Sequence, residues 1–315
     1  MTELLAAVRE RLRPQATRTG ASVDRITVGD RAVLVELRTD ETTLAGLAHL
    51  PPGEPPNTAN RTVESLLAGV TADVGGERTT PADGNAAARS ERALGTATMN
   101  ALSAPLVDWR RGDPMALLSD DVGRIATVGL FTPAFRKFDD IEVRVIERER
   151  VDDVPDPAGV RVRTFTPADT ASAMTGAEVV FVTGSTFIYG GIEAYLEAAP
   201  TSATVVVIGA TASFLPEPLF AAGVDVVAGA RVTDVAGVRT ALREGACGTD
   251  LHDAGLTKVY VARENDVARE SQSGLLLGER PPGGRLDSSD EAAGADGADG
   301  ADGATTDEFS PTTQR

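Results

Sequence analysis

The sequence predicts an α/β protein in which a small α+β unit precedes a Rossmann-like, doubly wound parallel sheet and an acidic tail closes the chain. Three observations carry this reading. From about residue 113 to 265, short Val- and Ile-rich runs alternate with amphipathic stretches, and continuous apolar runs of strand length suit strands buried on both faces of a parallel sheet. Before them, two strand-like segments flank a Gly-Asp pair, a hairpin signal. After them the chain turns polar and ends in GADGADGADGATTDEF, which has almost nothing to bury and reads as a disordered, solvating tail.

In chain order, the opening MTELLAAVRERLRPQ reads as an amphipathic helix and not as a signal peptide. The strands SVDRITVG and RAVLVELR follow, then a loop, HLPPGEPPNTAN, whose prolines exclude regular structure. RTVESLLAGV and AARSERALGTATMNALSAP read as helices, giving a β-β-α-α unit over residues 1–112. The second zone, residues 113–268, offers the strands RIATVGLF, IEVRVIE, AEVVFVTG, TVVVIGA, GVDVVAGA and LTKVYVAR. Between them lie the helical stretches TPAFRKF, PADTASAMTG, GGIEAYLEAA, PEPLFAAG and DVAGVRTALREG. Residues 269–315 form the tail.

Composition narrows the function. The single cysteine, Cys247, excludes an internal disulfide framework and fits a reducing compartment. No run approaches the ~20 apolar residues of a membrane span, so the expectation is a soluble, cytoplasmic protein without a membrane partner. The net charge is -17, and only Lys137 and Lys258 among the 30 basic residues are lysines. An acidic, lysine-poor surface suits a halophilic, high-salt cytoplasm. It argues against nucleic acid as a partner, because phosphate neutralisation needs a basic face.

The candidate site follows from the strand ends. Gly129, Gly184, Gly209 and Gly229 fall at or near the carboxyl edge, where open α/β sheets bind ligands. Glycine there admits close backbone approach, although tight turns also use it. The first turn, VGLFTPAF, places Phe131 where a dinucleotide fingerprint needs its second glycine, so ordinary NAD binding is not expected. Glu147, eighteen residues after Gly129, stands where a ribose-binding acid would lie. The turn TGSTFIYGG crowds Thr183, Gly184, Ser185 and Thr186 at a strand-to-helix junction. These hydroxyls and amides could cradle an anion or serve as helix caps. Gly209 and Thr211 form a parallel wall in the next turn. TGSTF lacks the nucleophile elbow, His49 and His252 have no partner by spacing, and Cys247 with His252 is too little for zinc.

The series VGLFTPAF, VRVIE, AEVVFVTGSTFIYGGIEAYLE and VVVIGATASFLPEPLFAAGVDVVAGARV, with REG, resembles the putative heavy-metal-chelation family, which joins an enolase-N-terminal-like domain to a Rossmann-like one. Upstream, ITVGDRAVLVEL, LAGLAHL and ALGTATMNALSAP resemble that family's first domain, including the Ala-rich helix carrying Asn100. Two departures stand out. The family favours Asn-Gly-Thr where this chain has Tyr189-Gly190-Gly191, and Gly-Pro-Thr where it has Gly209-Ala210-Thr211. The resemblance implies a cleft between the two domains, a metal-related role, and Asn100 reaching in from the first domain. The function expected is therefore binding or chelation of a metal ion or metal complex by a protein that acts alone or as a homo-oligomer. The alternative is an enzyme acting on a small anionic or nucleotide-like metabolite held by the Gly-Ser-Thr turn.

Overall fold

The first apolar stripe of the chain sets the packing of its N-terminal part. Leu5, Val8, Leu12 and Ala16 recur at helical spacing and form the buried face of α1 (Glu3–Arg18). The computed structural model describes residues 3–72, 84–130, 140–149, 151, 154 and 158–263. These belong to one compact unit, Met1–Arg280. Phe131, the TPAFRKF segment and the acidic tail lie outside the described residues.

Three strands follow α1 as an antiparallel meander: β1 (Ser22–Val28), β2 (Ala32–Arg38) and β3 (Thr43–His49). The Gly29-Asp30 turn closes the first hairpin, with the Gly29 amide donating to the Ala32 carbonyl at 2.9 Å. The third strand is an addition to the sequence reading. Its sequence, TLAGLAH, has a single β-branched residue, and it is a strand because it pairs with β2 and lies flat on a helix. That helix is α3 (Gly84–Ser103), which follows α2 (Val63–Gly69). A Cβ on Gly46 would stand 2.2 Å from the Ala97 carbonyl oxygen and 2.3 Å from the Ala101 amide nitrogen, so β3 needs glycine there to rest on the backbone of α3. From Arg92 to Ser103, every residue of α3 is buried.

The large sheet contains eight strands in the order β4-β11-β10-β9-β8-β5-β6-β7. Six are parallel: β5 (Arg124–Val128), β6 (Ile141–Ile146), β7 (Val160–Phe165), β8 (Val179–Thr183), β9 (Thr204–Ile208) and β10 (Val226–Val232). β11 (Leu256–Ala262) and the two-residue β4 (Arg110–Arg111) add an antiparallel edge. The chain runs outward from β5 to β6 and β7, then returns to β8 on the other side of β5 and continues to β10. This is the doubly wound order, and its switch point lies between β5 and β8.

Alternation along these strands splits the core into two faces. Ile125, Val143, Val179, Phe181 and Val206 pack on one face. Ala126, Val128, Val180, Val182 and Val207 pack on the other, together with Leu5, Leu12, Leu94 and Leu102 of the N-terminal helices. β2, the middle strand of the small sheet, is buried on both faces, which the hairpin reading did not anticipate. Val33, Val35 and Leu37 join the core containing α3. Leu34 and Leu47 meet Val238 and Leu242 of α8 (Val235–Arg243), introduced here with the intervening short helices α4 (Thr170–Met174), α5 (Thr186–Tyr189), α6 (Ile192–Ala198) and α7 (Glu217–Ala221). A last short helix, α9 (Asp250–Asp253), precedes β11. The meander is therefore a wedge between α3 and α8, and its β3 end points toward the carboxyl edge of the large sheet. Among the described residues no helix is long and apolar enough to cross a membrane.

Candidate functional site

The switch point opens into a cleft of about 840 Å³, within the roughly 300–1,000 Å³ typical of small-molecule sites. Its floor is the carboxyl edge of β5, β6, β8, β9 and β10, and its opposite wall comes from the small sheet through Arg31, Ala32, Leu47 and His49.

Each strand end contributes by its own local chemistry. Gly129 and Gly209 hold positive φ, +97° and +124°, a region costly for any residue with a Cβ. Their amides donate to the Ile146 and Ala228 carbonyls at 3.0 and 2.9 Å, which keeps each turn tied to its neighbouring strand. Glu147 also lines the cleft, and its Oε1 accepts the Leu130 amide at 2.7 Å. It holds the first turn in place. Gly229 lines the cleft too, but it sits inside β10 and not at its end, because the antiparallel partner β11 carries β10 on to Val232.

The Gly-Ser-Thr turn is satisfied within itself. Thr186 Oγ1 donates to the Thr183 carbonyl at 2.7 Å, and Ser185 Oγ donates to Thr183 Oγ1 at 3.2 Å. The Gly184 amide donates to the Ile208 carbonyl at 2.7 Å. Thr183, Ser185 and Thr186 line the cleft, while Gly184 is buried behind it. Asn100 also stands one layer back. Its Nδ2 donates to the carbonyls of Leu47, Ala210 and Thr211 at 2.7, 3.1 and 3.2 Å, so it braces β3 against the turn after β9.

Thr211 completes that brace, with its Oγ1 accepting the His49 amide at 2.9 Å. Here the structure brings forward groups that spacing did not single out. His49 Nε2 lies 3.1 Å from the Tyr189 hydroxyl, across 140 residues of chain. The Arg148 guanidinium sits 3.5 Å from the centre of the Tyr189 ring, a cation–π geometry. Burial, with the nearby Arg31 and Arg148 charges adding to it, pushes the His49 imidazole from 6.5 down to about 4. At neutral pH the ring is uncharged. At the far end of the cleft, Lys258 Nζ pairs with Asp113 at 2.9 Å, and His252 Nδ1 meets the Leu256 carbonyl at 2.7 Å.

The donor set does not make a cage for a bare ion. Among the described residues no group of three or more His, Cys, Asp or Glu comes together, whereas a tight protein site for a soft or borderline metal uses three or four. His49, His252, Asp113 and Glu147 line the cleft but face different partners.

Residues 113–261 match the family described as putative heavy-metal chelation, DUF364. The fold is similar to that of two solved members of that family, both titled as proteins of unknown function. One, from Pyrococcus horikoshii, is 20% identical with a TM-score of 0.66, and the match covers 82% of this chain and 100% of that one. The other, from Desulfitobacterium hafniense DCB-2, is 15% identical with a TM-score of 0.58 over the same shares. No curated protein matches the sequence.

Proposed function

We propose that this chain, whose residues 113–261 match the DUF364 family described as putative heavy-metal chelation, binds a metal already held by a small-molecule chelator, in the cleft at the switch point. One observation carries the choice of complex over bare ion: the cleft has the volume of a small-molecule site, yet its described His, Asp and Glu side chains do not converge. A metal that brings its own ligands needs a shaped, polar-edged cavity from the protein, with few protein donors. In this reading residues 113–268 supply the floor, residues 1–112 supply the wall that carries Arg31 and His49, and Asn100 and Thr211 hold that wall in register.

Calorimetric titration of the full chain tests the reading with three probes: aqueous Ni²⁺, Ni²⁺–citrate and Ni²⁺–ethylenediamine. At least one complex is expected to bind one-to-one and more tightly than the aqueous ion. Bare Ni²⁺ binding as tightly as either complex, or no binding by any probe, would overturn it.

A further inference from the structure

One corner of the cleft differs from the rest in charge. His49 and Tyr189 are joined at 3.1 Å, Arg148 covers the tyrosine ring, and the charges that bear on His49 are Arg31 and Arg148. Both arginines are exposed on the cleft side, and among the described residues neither has a carboxylate partner within salt-bridge distance. The cleft's carboxylates are engaged elsewhere or exposed. Glu147 accepts backbone amides from Leu130 and Arg148, Asp113 accepts from Lys258, and Glu149 is exposed. In a chain of net charge -17, where many other arginines are paired with acids, the described cleft lining is balanced, with Arg31, Arg148 and Lys258 against Asp113, Glu147 and Glu149, and the two arginines beside His49 have no carboxylate within salt-bridge distance among the described residues. The Gly129, Leu130, Gly184, Ser185 and Gly209 amides are already bonded within the protein, which leaves the two guanidinium groups as charged donors on the cleft.

We propose that the corner formed by Arg31, His49, Arg148 and Tyr189 binds the carboxylate or phosphate group of a small organic anion. The proposal rests on the reading that the cleft holds a chelated metal, and it assigns the chelator's class: an oxyanion-bearing molecule and not a neutral or cationic one. Guanidinium groups suit this role because their planar donors match oxyanions in pairs. Neutral His49 and the Tyr189 hydroxyl carry one N–H and one O–H donor; their mutual bond uses one and leaves the other for the ligand, without bringing a negative charge.

Calorimetry on the full chain with citrate, adenosine monophosphate and glycerol, all without metal, tests the assignment. Citrate, the nucleotide or both are expected to bind where glycerol does not, and the one that binds identifies carboxylate or phosphate as the source. The Arg31→Gln/Arg148→Gln double variant should bind that anion at least about tenfold more weakly. Both side chains are exposed, so its unfolding midpoint should match that of the parent protein. Arg11→Gln removes one positive charge from the exposed surface of α1 and should leave anion binding as it is. Anion affinity no greater than that of glycerol, or affinity unchanged in the double variant, overturns the proposal. The metal reading can fail separately: arginine-dependent citrate binding with no uptake of either nickel complex sustains the anion corner and removes the metal. Binding of the cationic Ni²⁺–ethylenediamine complex while both anions fail does the reverse.

Discussion

Removing the guanidinium of Arg239 tests how the small sheet is fixed over the cleft. Arg239 on α8 meets Glu36 on β2 through two bonds, Nε to Oε1 at 2.8 Å and Nη2 to Oε2 at 2.6 Å. The Glu36 side chain is only 2% exposed. The carboxylate beside it pushes the Arg239 guanidinium above its ordinary value. An Arg239→Met variant keeps much of the apolar stem but leaves a carboxylate buried without its counter-charge, which costs about 3–5 kcal/mol. Since a domain's whole stability is about 5–15 kcal/mol, the loss should be plain in urea unfolding followed by circular dichroism. With a slope near ~3 kcal/mol/M, the midpoint should fall by about 1–1.7 M. The double variant Glu36→Leu/Arg239→Met removes both charges and should recover to within about 1 kcal/mol of the parent, because well-packed apolar pairs replace buried ion pairs at little cost. A loss below about 1 kcal/mol in the single variant, or a double variant as unstable as the single, would refute the argument that Glu36 depends on Arg239.

Further outcomes follow from His49 in the cleft, Glu142 outside it and Gly184 behind it. The His49 imidazole is held at about 4 in the folded chain against 6.5 when free, so the unfolded chain takes up its proton first as pH falls. Stability contributed by neutral His49 is present above pH 6.5 and is lost between pH 6.5 and 4, by up to about 3 kcal/mol; a His49→Gln variant should flatten the urea-derived stability across that window. Glu142, held down to about 2 chiefly by its hydrogen bond to Arg144, with Arg124 adding to it, loses its contribution only below about pH 4.5, so the two groups separate on the pH axis. A Gly184→Val variant should lower stability by about 1–3 kcal/mol, because the first added carbon already falls 3.0 Å from the Ala212 amide nitrogen and 3.3 Å from Thr211 Cβ. The same intrusion should push Thr211 off the His49 amide and weaken anion binding, whereas binding equal to the parent's would detach the Gly-Ser-Thr turn from the site.

The strands most plainly legible in the sequence are those whose chemistry is uniform, although alternating ones such as IEVRVI are legible too. RIATV, VVFVT and TVVVI are buried on both faces and read as Val- and Ile-rich runs with no competing pattern. β7 escapes because it is the sheet's edge: its sequence VRVRTF alternates arginine with valine and stays half exposed, as an outermost strand should. β3 escapes for the opposite reason. Its central glycine is needed because α3 lies against it, and that contact is invisible until the helix is in place.

The same distinction explains the site. Strand-end glycines announce a cleft because they serve local backbone needs, a positive φ at Gly129 and Gly209, and such needs are written in the adjacent residues. Charge-bearing groups answer to distant partners. His49 is a lone polar residue at the end of a strand of small residues, Arg148 is one charge in the run IERER, and Tyr189 is one aromatic in a glycine-rich turn. Only the wedge of the meander between α3 and α8 puts His49 against Tyr189, whose ring lies beneath Arg148. The fold's glycines therefore determine where a ligand can lie, and the meander's placement determines its charge. The Rossmann-like sheet alone would keep the floor of the cleft, and would lose its opposite wall, the neutral imidazole and one of the two guanidinia that favour an oxyanion there.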